Sequence, residues 1–290
     1  MSPSRFRIAR DYNQGLPLPV RVPHLALAAL RDLLSPITTP LCAPSRRAWA
    51  WPLALGVVGI ALFLPLDGPI NRLVNPTHYV PPATAPIRLG GDFRREAEFI
   101  QQYGQFTCTA IAIILILLLD RDRARLRRIA DWLAGALIAL IAVNILKMTI
   151  GRPRPKFDDP WGFLGPAGTY AVRLEDPAVG LRHAWEFWGG ISSDLWSMPS
   201  SHTAYAVVMS FALAALYPRL RGFAIVMAVV VGVCRVLLNS HYPSDVIAGA
   251  MLGYLAASAA FRHRWGQRFL DSRARASLPA ARAETGPLPP

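Results

Sequence analysis

Six times along this chain the side chains stay apolar for close to the ~20 residues a helix needs to cross a bilayer's hydrocarbon core. The runs cover residues 48–66, 101–119, 130–150, 201–217, 221–239 and 245–262. Inside lipid a backbone has no water to bond, so an uninterrupted helix is the simplest structure for such a run. The expected fold is therefore all-α, an integral membrane bundle of six transmembrane helices. Charge agrees, because Asp, Glu, Lys and Arg make up 17% of the 290 residues, against about 25% in soluble domains. The run at 201–217 is the weakest, being short and carrying Thr203 and Ser210. A buried core helix competes there, but the span-length neighbours favour a crossing.

A net charge of +13 would first suggest nucleic acid as a partner. The positions of the charges argue against it. Basic residues collect before the first run (Arg5 to Arg47), between the second and third (Arg121 to Arg128), in the turn with Arg219 and Arg221, and after the sixth (Arg262 to Arg282). These are alternate connections, so all four lie on one side, and the excess of Lys and Arg makes that side cytoplasmic with both termini inside. A basic face toward anionic lipid headgroups is a compatible second use.

The domain plan that follows is a cytoplasmic tail over 1–47, a membrane domain over 48–262 and a disordered cytoplasmic tail over 263–290. Within the first tail, residues 22–34 read equally as an interfacial helix or as loosely ordered chain. The N-terminus has no apolar core of signal-peptide type, so the first span is expected to serve as an uncleaved anchor. Trp49, Trp51, Trp132 and Trp265 fall at cytoplasmic ends of spans, where an indole is at home. On the outer side the long segment 151–200, with Trp161, Trp185, Trp188 and Trp196, is expected to hold a short interfacial helix or a lid. Cys42, Cys108 and Cys234 show no paired spacing, which argues against a disulfide framework or a zinc site.

An ionised side chain within a spanning helix costs ~2.5 to 3.5 kcal/mol on insertion scales, so each one needs a reason. Three clusters stand out: "KMTIGRPRP" from Lys147, "MPSSHTAYAVV" from Met198, and "CRVLLNSHYPSD" from Cys234. The topology places all three at the outer membrane face. Lys147, Arg154 and Arg235 supply fixed positive charge, and guanidinium forks match phosphate oxygens. Pro199 would start a helix whose free N–H groups and dipole favour an anion, with Ser200 adding a hydroxyl. Together they describe a phosphate pocket. Asp245 follows His241 by four residues, so its carboxylate can hold one ring nitrogen and leave the other free to attack. His202 can donate a proton to the leaving oxygen.

Taken singly, each residue has a plainer reading. Lys147 would be a snorkelling lysine, Arg152 and Arg154 flanking charges, and Ser200 or Ser201 a helix cap. His202 would cap or face water; His241 and Asp245 would be a structural pair or half a metal site, weakened because no further ligand stands at suitable spacing. Joint placement on one face is what favours chemistry.

The ordered trio resembles the motifs K-x6-R-P, P-S-G-H and S-R-x5-H-x3-D of the type-2 phosphatidic acid phosphatase superfamily, in detail over about residues 140–250. The resemblance implies a membrane lipid phosphate or diphosphate phosphatase working through phosphohistidine, without metal or cofactor. It makes His241 the nucleophile, Asp245 its orienting partner and His202 the general acid. Lys147, Arg154, Ser200, Arg235 and the backbone N–H of Ser201 become the phosphate ligands, and Arg152 is a spare outside the pattern. Ser201 replaces the usual glycine, and Cys234 the usual serine. Candidate substrates are polyprenyl diphosphate, phosphatidate, phosphatidylglycerophosphate and lipid A phosphates. The alternatives are a lipid phosphotransferase and a non-catalytic phospholipid-binding protein. The expected setting is a bacterial-type inner membrane, with the active site extracytoplasmic.

Overall fold

A computed structural model describes residues 49–74, 91–171, 181–186 and 192–276. The tail before residue 49, with its candidate interfacial helix, lies outside the described residues. Helix α1 (Ala50–Phe63) passes through a 3-10 turn at Leu64–Leu66 into α2 (Asp67–Val74). Helix α3 (Gly91–Ile100) and a 3-10 turn at Gln101–Gly104 lead to α4 (Phe106–Leu119). There follow α5 (Arg123–Arg127), α6 (Ile129–Ile150), α7 (Ser201–Leu216), α8 (Arg221–Leu237), α9 (Pro243–His263) and α10 (Trp265–Ala276).

Four helical segments are long and apolar enough to cross a membrane: Ala50–Val74, Arg123–Ile150, Pro218–Leu237 and Pro243–His263. A fifth crossing results if Gly91–Gly104 and Phe106–Leu119, bent by 58° at their junction, form one span. The sixth expected crossing is α7, whose 16 residues rise only about 24 Å. Length therefore supports four or five crossings, and six remains an expectation. Large apolar side chains such as Leu55, Leu62, Leu118, Leu137 and Ile141 are exposed along these helices. That is the surface of a bundle whose surroundings are hydrocarbon.

Helix α7 lies at the centre, packed against α6, α8 and α9. Small residues let the backbones close up: a Cβ on Gly249 would meet the Ser200 carbonyl oxygen, and one on Gly253 that of Ala204. Without a hydrophobic drive between helices in lipid, such close backbone contact is a main source of packing energy. These contacts run α7 and α9 parallel. Gly135 against Ala257, with Lys147 acting electrostatically on Asp245, makes α6 antiparallel to α9. The C-terminal ends of α6 and α8 thus meet the N-terminal ends of α7 and α9 at one end of the bundle.

Three expectations are corrected. Trp132 is fully buried in the core rather than at an interface, because α6 presents it to the bundle interior. The described part of 151–200 holds no α-helix; it has 3-10 turns at Pro155–Phe157 and Ser192–Leu195 and an antiparallel pair, β1 (Thr169–Ala171) with β2 (Leu181–His183). Two of its tryptophans staple this segment, Trp196 Nε1 donating to the Ala184 carbonyl at 2.6 Å and Trp185 Nε1 to that of Pro166 at 3.0 Å. The tail expected to be disordered from 263 begins as α10. It is held by Gln267, which donates to Asp131 from its backbone at 3.1 Å and from its side chain at 2.6 Å.

Candidate active site

The end of α6 creates the first part of the site. Gly151 closes the helix at φ +62°, donating to the Lys147 carbonyl, and a Cβ there would come within 3.0 Å of the Ala184 Cβ. Glycine alone adopts that angle without cost. The chain then turns along residues 194–197: Arg154 N donates to the Asp194 carbonyl at 2.9 Å, and Ser197 N to that of Arg152 at 3.0 Å. This pairing fixes Ser197, on which the key histidine depends.

His241 is buried on the turn between α8 and α9. Its Nδ1 lies 2.6 Å from the Ser197 carbonyl oxygen. A carbonyl only accepts, so Nδ1 carries the proton and Nε2 keeps a free lone pair. Asp245 Oδ2 stands 3.8 Å from Nδ1, beyond hydrogen-bond range. The expected direct hold of Asp245 on the ring is therefore not what the geometry gives. The carboxylate instead accepts from Ser197 Oγ at 2.5 Å and from Tyr242 N at 2.8 Å, so it steadies the residue whose carbonyl steadies the ring. Burial first, then the charges of Arg235, Arg154 and Lys147, push the His241 imidazole well below its usual pKa. It is neutral at physiological pH.

Arg152, read from sequence as a spare, is fully buried and central. Its Nη1 donates to Asp245 Oδ1 at 2.6 Å and to Ser244 Oγ at 2.8 Å; its Nη2 donates to Asp67 Oδ2 at 2.8 Å and to the Pro160 carbonyl. Asp67 also accepts from Ser244 N at 3.0 Å and from Ser244 Oγ. The guanidinium lies over the Tyr242 ring, 4.4 Å from its centroid. A buried ion triad persists only when every member is bonded, and here it ties α2 to the first turn of α9. Asp67, alone at the end of the first apolar run, was the available signal for its half of the triad.

Lys147 and Arg235 are buried, and Arg154 is partly exposed. Lys147 Nζ donates to Ser201 Oγ at 3.1 Å, Arg154 Nε to the Ser193 carbonyl at 2.6 Å, and Arg235 Nη1 to Gln101 Oε1. Among the described residues none of the three forms an ion pair. All three act electrostatically on both His241 and His202, so the predicted cations and imidazoles share one locus. His202 Nε2 is 2.6 Å from the side-chain amide nitrogen of Gln105. The bend between α3 and α4 thus delivers two glutamines that sequence reasoning passed over, although "QQYGQ" is a polar opening to an apolar run.

The two serines stand differently at the start of α7. Ser200 is the buried N-cap of α7; its Oγ accepts from Thr203 Oγ1 at 3.0 Å and Thr203 N at 3.5 Å, and its N–H donates to the Asp245 carbonyl at 3.0 Å. Capping occupies the lone pairs of that hydroxyl and leaves its O–H proton to donate. Ser201, one residue into the helix, is the hydroxyl beside Lys147. Among the described residues no group of three or more His, Cys, Asp or Glu is placed to hold a metal ion.

Comparison with known proteins extends this geometry. A "Lipid A 1-phosphatase" of Rhizobium johnstonii is 34% identical over 113 residues, covering 39% of this chain and 38% of that protein. One of Rhizobium etli is 31% identical over 130 residues, covering 42% and 47%. The chain thus spans less than half the length of these curated relatives. A crystal structure of a transmembrane PAP2 type phosphatidylglycerolphosphate phosphatase from Bacillus subtilis aligns over 81% of this chain and 98% of that one, at 18% identity and a TM-score of 0.46. Residues 128–269 match the family described as the PAP2 superfamily. That match takes in just under half of this membrane protein, and it carries Lys147, Arg154, Ser200, His202, Arg235, His241 and Asp245, so this region of the chain is similar to the PAP2 superfamily.

Proposed function

We infer that the protein is a membrane lipid phosphate phosphatase acting through a phosphohistidine. The observation that carries this reading is the set of three cations, without ion pairs among the described residues, that surrounds a neutral, proton-oriented His241. Left empty, such a cluster repels itself; a phosphoryl group would offset that cost and place phosphorus before Nε2. Two helix N-termini, those of α7 and α9, add partial positive charge to the same spot.

In the proposed cycle the Nε2 lone pair attacks phosphorus in line, and the bond to the leaving oxygen breaks as His202 gives that oxygen a proton. Water then attacks the phosphohistidine, passing its proton to His202, and the N–P bond breaks to release phosphate and restore His241. Asp245, Arg152 and Ser197 hold the nucleophile's orientation throughout. The cycle needs no metal or cofactor.

The apolar part of the substrate fits a groove of about 240 Å³ lined by Phe106, Leu133, Leu137, Leu140, Tyr205 and Val208. It begins next to Gln105, which touches His202. The relatives favour a lipid A-type phosphate over polyprenyl diphosphate, phosphatidate or phosphatidylglycerophosphate. The site is assigned to the extracytoplasmic face of a bacterial inner membrane, with both termini inside. Phosphate release from a panel of lipid monophosphates and diphosphates, in detergent with and without EDTA, tests the reading. Release in both conditions supports it; binding without release from any lipid overturns it, and phosphate appearing on an acceptor lipid instead of in solution makes the protein a transferase.

A further inference from the structure

The opposite end of the bundle holds a second cationic cavity with no part in the reaction. It measures about 600 Å³ and is lined by Arg123, Arg127 and Arg128 from α5 and the start of α6, and by Phe261, Arg262 and Arg264 from the α9–α10 junction. We propose that it binds the phosphodiester headgroup of an anionic phospholipid in the leaflet facing the basic side of the protein.

The cavity is built by its scaffold. Gly266 sits so tightly on the Ala130–Asp131 backbone that a Cβ would fall 2.0 Å from the Ala130 carbonyl. The two Gln267–Asp131 hydrogen bonds lock α10 in place beside it. Arg264 takes φ +52° where α9 breaks into α10, an angle that costs a bulky residue energy and lets the chain fold back instead of leaving the membrane.

Five arginines face one concavity. Arg127 pairs with Asp271, Arg264 Nη2 donates to Gln267 Oε1 at 2.6 Å, and Arg128 lies over the Phe261 ring, 5.3 Å from its centroid. Among the described residues the buried Arg262 Nη2 has no hydrogen-bond partner. An orphaned buried guanidinium nitrogen is costly, and a phosphate oxygen is the partner whose geometry suits it.

The surroundings select a lipid over a free anion. Trp265, Phe269 and Leu270 of α10 are exposed, while Gln267 is buried and the half-exposed Asp271 pairs with Arg127. At 100° per residue, Trp265 and Phe269 share a face roughly opposite that of Gln267 and Asp271. An indole and two apolar side chains beside a basic pocket suit the headgroup boundary, where the acyl chains of a seated lipid would lie.

The test uses the full chain in a neutral detergent. Dioctanoyl phosphatidylglycerol is expected to raise Tm by about 3 to 6 °C at saturation, with little effect from dioctanoyl phosphatidylcholine, while any stabilisation by inorganic phosphate, the product held by the catalytic pocket, is the same in parent and cavity variant. In Arg123→Gln/Arg262→Gln the apparent affinity for phosphatidylglycerol is expected to fall about thirtyfold, while phosphate release from a lipid monophosphate, with no phosphatidylglycerol added, is unchanged. Arg219→Gln/Arg221→Gln, outside the cavity, should respond as the parent does. Equal stabilisation by phosphatidylcholine, or equal affinity in the cavity variant, overturns the proposal. Stabilisation by inorganic phosphate that is lost in the cavity variant overturns the choice of a lipid. The parent comparison of phosphatidylglycerol with phosphatidylcholine keeps the test decisive if the cavity variant does not fold.

Discussion

At His241, burial and three nearby cations act in one direction, and the Ser197 carbonyl decides which nitrogen keeps the proton. The unfolded chain protonates this imidazole near its ordinary value of 6.5, whereas the folded chain does not. The unfolded state therefore binds more protons below that pH, and stability drains away as the solution is acidified, by at most about 1.4 kcal/mol per pH unit. Thermal melts between pH 7 and 5 should show this acid-side loss reduced in His241→Gln; an unchanged slope would mean that another group carries it. Arg152 is the second residue at issue. Arg152→Lys keeps the charge but not the fork that bonds Asp67, Ser244 and Asp245 together. A nucleophile displaced by about 1 Å costs roughly a hundredfold in rate, so kcat should drop by that much with KM little changed. A folded Arg152→Lys protein with parental kcat would show that Asp245 and Ser197 need no such anchor. Arg152→Ala, leaving two buried carboxylates unpaired, should cost about 3 to 5 kcal/mol and serves as the stability control.

Among the elements, the bend between α3 and α4 does the least obvious service. Gly104 rests on the α7 backbone so closely that a Cβ would lie 2.2 Å from the His202 carbonyl oxygen. Gly104→Ala should lower Tm through an overpacking cost of about 1–3 kcal/mol. It should also depress turnover more than Gln102→Ala does, because Gln105 would no longer meet His202; equal effects would remove the bend from the account. This element also marks the limit of the sequence. The polar "QQYGQ" reads as an ordinary span entrance, since nothing local says that its glutamines will face a histidine and an arginine about a hundred residues away. Arg152 was misjudged for the same reason: its partner Asp67 lies 85 positions earlier, and only the packed bundle joins them. By contrast, the convergence of Lys147, His202, Arg235 and His241 was legible, because charged or titratable groups at the ends of apolar runs are expensive wherever they occur. Helix α10 was hidden by its own charge. Its arginines and proline-rich sequel suggest a solvated tail, while its buried Gln267 is spent on Asp131.

For the whole molecule, the alternation of basic connections predicts that the two arginine-rich ends serve different sides, with the proposed catalysis outside and the proposed lipid site inside. On a cysteine-free background, Ala167→Cys should react with an impermeant maleimide on intact spheroplasts, and Arg219→Cys only after permeabilisation. The reverse pattern would invert the topology and place the phosphate pocket in the cytoplasm. The central claim remains chemical, and a rapid-quench experiment with a lipid substrate labelled at its phosphate tests it most directly. The account predicts an acid-labile, alkali-stable phosphoenzyme that maps to His241, decays at a rate compatible with turnover, and vanishes in His241→Ala together with at least about 10⁴-fold of the activity. Label on another residue, or turnover that persists without His241, would contradict it.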